Sequence, residues 1–236
     1  MRKRLWILFF LFAIPAILLC LFYVGILRFN YPSGEDFPIR GIDISHHQGN
    51  IKWSKLPGKE VRFLFVKATE GGDFIDHKYV ANLDSALKYT IPIGAYHFFT
   101  FCRSGEDQAE HFIKTVDKSK INLPPVIDVE YGGNCKVKDK AKVSKELHIM
   151  NKMIYDHYGT YPILYATTEF YNDYLIEDFH ENAIWIRNIY HQPELKGNRQ
   201  WLFWQYANRG HLKGIRDYVD LNVFKGSEEE FNSLLF

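Results

Sequence analysis

The chain has 236 residues, with 29 Lys plus Arg, 28 Asp plus Glu and a formal net charge of +1 at pH 7. Four of the basic residues precede residue 31, so the remainder carries 25 basic against 28 acidic residues, a formal charge of −3. Binding to a nucleic-acid backbone requires an excess of basic side chains, so this composition excludes a nucleic-acid partner as the expected one.

The first predicted element is an apolar helix over residues 5–27. This charge-free run would reach roughly 34 Å as a helix, enough to cross a hydrocarbon core of about 30 Å. Three basic residues at positions 2–4 precede the run and only Arg28 follows it closely, a bias that keeps the N-terminus in the cytoplasm. A cleaved signal peptide is the alternative, but the run is long for one and no small-residue cleavage site follows it.

The sequence thus predicts three regions: a single-pass membrane anchor over residues 1–30, a short linker over residues 31–37, and an extracytoplasmic domain over residues 38–236 at the cell surface or in the periplasm. About 200 residues suit one domain with a sizeable core. Nothing in the sequence indicates an oligomeric state.

Short apolar strands alternate with helical segments throughout this domain. Eight strands are predicted, at residues 41–45, 62–69, 92–100, 125–131, 161–167, 183–189, 201–207 and 218–221. Apolar residues at helical spacing, such as Val80, Leu83 and Leu87, predict helices between them. The alternation is typical of an α/β fold with mostly parallel strands. Because β/α barrels usually need about 250 residues, we expect an irregular, TIM-like barrel in which some helices are short or missing.

The fourth predicted strand carries two acids, Asp128 and Glu130. Residues two apart in a strand share a face, so the two carboxyl groups lie side by side. Burial and mutual repulsion would leave one of them protonated beside an ionised partner, as glycoside hydrolysis requires. A salt-bridged pair at a strand end is the simpler alternative. Asp43 and Asp220 lie in the first and last predicted strands, and barrel enzymes build their sites at strand carboxyl ends, so we expect four carboxylates to converge. A turn or cap residue is the alternative for each of these two acids.

Two cysteines follow consecutive predicted strands, Cys102 after the third and Cys135 after the fourth. Sequential parallel strands are usually neighbours, so their loops should meet and a disulfide is predicted; two unpaired thiols are the alternative. No cysteine or histidine spacing suggests a structural zinc site. His46 and His47 are adjacent in what is read as a strand, so only one of them is expected to face a groove.

Ordered motifs across the domain resemble those of the family 25 glycoside hydrolases, the N-acetylmuramidases that cut peptidoglycan. They are GIDISHHQG at residues 41–49, FVKATEG at 65–71, GAYHF at 94–98, LPPVIDVE at 123–130 and WQY at 204–206. The resemblance implies an irregular β/α barrel, an acidic groove for the glycan strands of peptidoglycan, and no metal or cofactor. It also implies that Glu130 is the general acid, Asp128 its closest partner, and Asp43 and Asp220 supporting carboxylates. Arg187 stands where a small residue is expected, and is predicted to alter the groove's rim without touching the acids.

The predicted activity is cleavage of the β-1,4 bond between N-acetylmuramic acid and N-acetylglucosamine. Strand spacing alone does not separate retaining from inverting geometry. A third route, with Asp128 orienting the substrate's own acetamido oxygen as nucleophile, is favoured because Asp-x-Glu pairs in other acetamidosugar hydrolases resemble this one.

Side chains near strand ends are candidates for holding the sugars, since Tyr and Trp rings stack on saccharides and keep a polar group. These candidates are Tyr96, Tyr165, Trp185, Gln205, Tyr206 and Lys67. Ordinary core packing is the alternative for the aromatic residues. Two other functions remain open: a non-catalytic, membrane-tethered protein that binds peptidoglycan, and a hydrolase of another acetamidosugar polymer such as chitin. The full set of acids favours an enzyme.

Overall fold

The computed structural model describes residues 2–136 and 139–236. Its strands are β1 Arg40–Ile44, β2 Phe63–Glu70, β3 Phe74–Ile75, β4 Ile93–Phe98, β5 Val126–Val129, β6 Ile163–Thr167, β7 Ile184–Arg187, β8 Phe203–Gly210 and β9 Val219–Phe224. Its α-helices are α1 Arg2–Tyr23, α2 Tyr79–Lys88, α3 Gly105–Thr115, α4 Lys140–Tyr158, α5 Thr168–Phe170 and α6 Glu228–Ser233. Short 3₁₀ turns and one π-turn complete the connections.

Eight of the strands close into a barrel in the order β1-β2-β4-β5-β6-β7-β8-β9, and β9 returns to pair with β1. Neighbouring strands are parallel except at β9, which runs antiparallel to both β8 and β1. The two-residue strand β3 only extends the edge of β2. Each barrel strand overlaps one of the eight predicted strands, so the predicted barrel of the α/β class is confirmed.

Alternation along the strands divides the core into two layers. Aromatic side chains fill the barrel interior, where Phe65 stacks on Trp185 with ring centroids 4.6 Å apart and Phe63 packs against Phe203. The intervening aliphatic residues, such as Leu64 and Val66, are fully buried against the surrounding helices and loops. Burying each such side chain stabilises the fold by about 1.5 to 3 kcal/mol. The interior is therefore a packed core rather than a channel.

The helical layer is well formed only over part of the barrel. Helices α3 and α4 pack closely, and a Cβ atom added at Gly105 would lie 1.9 Å from the carbonyl oxygen of Glu146. In α2, Leu83 is buried as predicted, but Val80 and Leu87 are exposed. The face that α2 turns inward consists instead of Tyr79, Asn82, Leu83 and Ala86, so the predicted stripe is displaced around the helix.

Among the described residues, no α-helix connects β7 to β8 or β8 to β9, in line with the expectation that helices are missing. The segment predicted as a linker covers part of this side. Asn30 donates a hydrogen bond from Nδ2 to the carbonyl of Tyr206 at 2.8 Å, and Tyr31 packs edge-on against the Tyr206 ring. Phe37 stacks on Trp201. Contacts at the two ends of this segment therefore attach it to the domain, while residues 33–36 between them are exposed.

The apolar N-terminal run is helical up to Tyr23, and the next residues form a turn in which Gly25 has a φ of 81°. The amides of Ile26 and Leu27 both donate to the carbonyl of Leu21 across this turn. The helix is consequently shorter than the predicted element over residues 5–27. Within residues 2–136 and 139–236, no helix is both long enough and apolar enough to cross a membrane, so the predicted membrane anchor is not supported.

Candidate active site

A cleft of about 380 Å³ opens at the carboxyl ends of the parallel strands. Four carboxyl groups line it: Asp43 on β1, Asp128 on β5, Glu130 directly after β5, and Asp220 on β9. The structure therefore brings together the four acids that the sequence singled out. The other lining residues are Lys67, Tyr96, Phe98, Tyr165, Trp185, Arg187, Gln205 and Asn208.

Asp43 is held by two side-chain amides. Its Oδ2 accepts hydrogen bonds from Asn222 Nδ2 at 2.7 Å and from Gln205 Nε2 at 3.0 Å. Asp220 lies directly opposite Asp43 in the antiparallel pairing of β1 and β9. Burial raises the pKa of Asp43 to about 6, although both amides and the Arg187 guanidinium oppose the rise. Burial and then the Asp43 charge raise the pKa of Asp220 well above its usual value.

Two aromatic side chains fix the orientation of these amides. The Tyr165 hydroxyl donates to Gln205 Oε1 at 3.0 Å, and Trp185 Nε1 donates to Asn222 Oδ1 at 2.8 Å. Each amide oxygen is thereby occupied, and each amide nitrogen is left to donate to Asp43. Tyr165 and Trp185 are only 6% and 2% exposed. In this structure they support Asp43 from the barrel interior and present little surface to a stacked sugar.

Asp128 and Glu130 lie in one part of the cleft but differ in exposure. Asp128 is buried, and its Oδ1 has no hydrogen-bond partner among the described residues. Burial and then the Glu130 charge raise the pKa of Asp128 well above its ordinary value. The Glu130 side chain is 20% exposed, and burial raises its pKa while Arg187 lowers it. Glu130 is thus the more exposed of these two carboxyl groups, and its pKa is raised above the ordinary value of a glutamate.

The loop that follows Glu130 is clamped from two directions. Asn134 donates from Nδ2 to the carbonyls of Glu130 and Phe99, and its Oδ1 accepts from the amide of Phe101. Beside it, a disulfide joins Cys102 to Cys135 with their Cα atoms 5.9 Å apart. The structure contains the disulfide that the neighbouring loops predict. The role of Asn134 was not predicted, because two of its partners, Phe99 and Phe101, belong to another loop.

Two cations face the four acids. Lys67 donates from Nζ to Glu70 Oε2 at 2.6 Å and lies over the Phe98 ring. Arg187, at the end of β7, places Nη1 3.7 Å from Glu130 Oε2. The prediction that Arg187 does not touch the acids is therefore wrong. Trp185 and Arg187 are two residues apart on β7 and therefore share a strand face. Arg187 is the last residue of this strand, so it lies nearer the mouth of the cleft than Trp185 does.

The candidate sugar contacts do not all reach the cleft. Tyr96 lies in its wall and is partly exposed, and Gln205 and Lys67 also line it. Tyr206 is 3% exposed and belongs to the outer layer of the core. Adjacent strand residues point to opposite faces, so Tyr206 points away from the barrel interior that Gln205 enters, and it does not line the cleft. Asn222 and Asn208 were missed, as no local motif marks them.

The two histidines after β1 lie in a 3₁₀ turn, His46–Gln48, and not in a strand, so the alternation argument does not apply to them. His46 Nδ1 lies 2.7 Å from Asp76 Oδ2, and His77 is close enough for the three side chains to offer ligand atoms within 4.8 Å of one another. Asp76 also accepts hydrogen bonds from the amides of His46 and Lys78. This cluster has the donors for a metal ion, but its carboxylate already organises the turn.

A barrel with a cluster of carboxyl groups at one end has the groups that glycoside hydrolysis uses. The family model "Glycosyl hydrolases family 25" matches residues 42–215, and the chain belongs to this family.

Several known proteins are similar. A family 25 glycosyl hydrolase structure from Bacillus anthracis is 43% identical, with a TM-score of 0.82 over 88% of this chain and 97% of that one. A bacterial lysozyme structure from Streptomyces coelicolor is 27% identical, with a TM-score of 0.75 over 83% of this chain and 96% of that one. Lysozyme M1 of Streptomyces globisporus is 28% identical over 206 residues, covering 80% of this chain and 68% of the relative.

Proposed function

We propose that this protein hydrolyses peptidoglycan at the β-1,4 bond between N-acetylmuramic acid and N-acetylglucosamine. The observation that carries the proposal is the partly exposed Glu130, whose pKa is raised by burial, next to a more deeply buried Asp128 in an acidic cleft. The lysozyme names of relatives support peptidoglycan as the substrate.

In the proposed reaction Glu130 donates its proton to the glycosidic oxygen as the bond to the sugar's anomeric carbon breaks. Asp128 Oδ1 lacks a protein partner, and it is suited to accept a hydrogen bond from the substrate's acetamido N–H. This contact orients the acetamido oxygen to attack the anomeric carbon. Water then opens the cyclic intermediate and returns a proton to Glu130, as in other double-displacement routes.

Asp43 and Asp220 support this chemistry electrostatically. A neutral carboxyl group adds little repulsion to the negative charge that develops on Glu130 as it gives up its proton. An ionised carboxyl group stabilises the positive charge of an oxocarbenium-like transition state. The amides of Gln205 and Asn222 favour the ionised form of Asp43. Asp43 is accordingly a supporting carboxylate in the proposed mechanism, in addition to Glu130 and Asp128. A protein that only binds glycan would need neither the proton donor nor this support.

We also propose that the catalytic domain works outside the cytosol, where its substrate lies. The Cys102–Cys135 disulfide supports this location, since disulfides persist in oxidising compartments. Fractionation of the natural host's cells checks it, because recovery of the protein only with cytosolic markers would contradict an extracytoplasmic location.

The activity is tested by digesting purified peptidoglycan and identifying the sugar that carries each new reducing end by borohydride reduction. Reduced muramic acid is the expected product, and Glu130→Gln should form it about 10² to 10⁴ times more slowly. Glu181→Gln is the matched control, because Glu181 is exposed and lies outside the cleft. Reduced glucosamine as the product, or digestion of chitin oligomers but not of peptidoglycan, would overturn the proposed bond.

A further inference from the structure

Arg187 lies at the boundary between the acidic cleft and a second cavity of about 430 Å³. The wall of this neighbouring cavity includes Thr167, Asn188 and Tyr190. Thr167 is the register partner of Arg187 on β6, so the two side chains stand side by side at the strand ends. Arg187 therefore belongs to the walls of both cavities.

The guanidinium of Arg187 is unusually free to bind a ligand. No described group accepts a hydrogen bond from it within 3.5 Å, and its nearest acid, Glu130, is 3.7 Å away. Arg199 shows the contrast, because its guanidinium donates to four backbone carbonyls and serves only the fold. Lys67, the other cation of the cleft, is already hydrogen-bonded to Glu70. Arg187 is 31% exposed and keeps its fork of donors for a solute.

A planar fork of N–H donors matches a carboxylate bidentately. The proposed substrate has such a group beside the bond to be cut, since muramic acid differs from glucosamine by a lactyl ether that ends in a carboxylate or continues into a peptide stem. We propose that Arg187 and the adjoining cavity form a subsite for this carboxylate-bearing substituent. The inference rests on the proposed function and gives that function its selectivity for muramic acid over plain N-acetylglucosamine polymers.

Substrate binding would also change the surroundings of the general acid. A guanidinium engaged with the substrate's carboxylate is less available to Glu130, and this weakens the attraction that favours ionised Glu130. The subsite thus couples recognition of the correct sugar to retention of the proton that cleaves its bond.

The test compares two ligands that differ only in whether the lactyl carboxylate is free or converted to an amide. Tryptophan fluorescence titration of the Asp128→Asn protein, which is expected to bind without turnover, measures Kd for a muramic-acid-containing tetrasaccharide and for its methylamide. The acid should bind roughly tenfold to a hundredfold more tightly, the usual range for a charge-assisted hydrogen bond. Adding Arg187→Gln should bring this ratio close to one. Adding Arg62→Gln, a change at a surface ion pair with Glu228, should leave it unchanged.

A peptide-bearing tetrasaccharide forms the third arm. If Arg187 binds the lactyl carboxylate itself, the peptide-bearing ligand should bind no more tightly than the methylamide, because its lactyl group is an amide. If Arg187 binds a carboxylate of the peptide, this ligand should bind more tightly than the methylamide, and Arg187→Gln should abolish the difference. An equal acid-to-amide ratio with and without Arg187, in a protein that digests peptidoglycan, would overturn the subsite alone. Failure of the unmutated protein to digest peptidoglycan would overturn the proposed function itself.

Discussion

Removing the Cys102–Cys135 disulfide should destabilise the catalytic domain by about 3.7 kcal/mol. The bridge spans 33 positions, and the loop-closure entropy that such a cross-link removes from the unfolded chain corresponds to about 3.7 kcal/mol at 25 °C. In urea, with a slope of about 3 kcal/mol/M, the unfolding midpoint of Cys102→Ala/Cys135→Ala should fall by about 1.2 M.

Circular dichroism during urea unfolding measures this shift, and Cys20→Ala is the matched control. Cys20 is an exposed free cysteine on α1, so its removal should leave the midpoint unchanged. The double variant should retain the Asn134 hydrogen bonds and hence measurable activity well below its midpoint. A midpoint within about 0.3 M of the unmutated protein would refute the reasoning, because the disulfide would then contribute no restraint on the unfolded chain.

Three further predictions concern the acids. Glu130→Gln should lower kcat for peptidoglycan by about 10² to 10⁴ with unchanged circular dichroism; turnover near that of the unmutated protein would contradict its role as proton donor. Arg187→Gln should raise the pKa of Glu130, so the loss of kcat/KM with rising pH should move to higher pH, and an unmoved limb would show that the guanidinium does not act on it. Since the folded-state pKa of Asp43 is raised from 3.8 to about 6, its stabilising contribution should be complete below pH 3.8 and lost as pH rises through 6. Thermal unfolding between pH 4 and 8 should show this decline, and Asp43→Asn should reduce it; an identical decline in Asp43→Asn would assign the pH dependence to other groups.

Local sequence patterns predict much of the fold and the positions of the acids. The strand pattern depends only on short apolar runs, and the Asp128-x-Glu130 spacing places both acids on one face wherever the strand lies. The position of Asp43 followed from one further rule, that barrel sites form at strand carboxyl ends. These features need no knowledge of distant contacts, whereas Asp220 lies near the amino end of β9 and reaches the cleft because β9 pairs antiparallel with β1.

What escaped prediction depends on pairs far apart in the chain. Trp185 and Tyr165 were read as sugar-stacking residues, yet they support amides whose positions are set by β8 and β9. The alternation of side chains along a strand predicts which of them point into the barrel, but it does not predict how far each one lies from the cleft. Arg187 was read as a rim residue for the same reason, because its distance to Glu130 depends on the stagger of β5, β6 and β7.

The antiparallel strand that closes the barrel also sets when the enzyme can become active. Asp43 on β1 accepts a hydrogen bond from Asn222 on β9, 179 positions later, so a nascent chain makes this contact only after every other barrel strand has been synthesised. Closure over so long a loop is an intrinsically late and slow step of folding. Until it occurs, Asp43 lacks its Asn222 donor and Asp220 is not opposite it. A chain that ends before β9 therefore lacks this arrangement of acids, which forms only in the completed ring of strands.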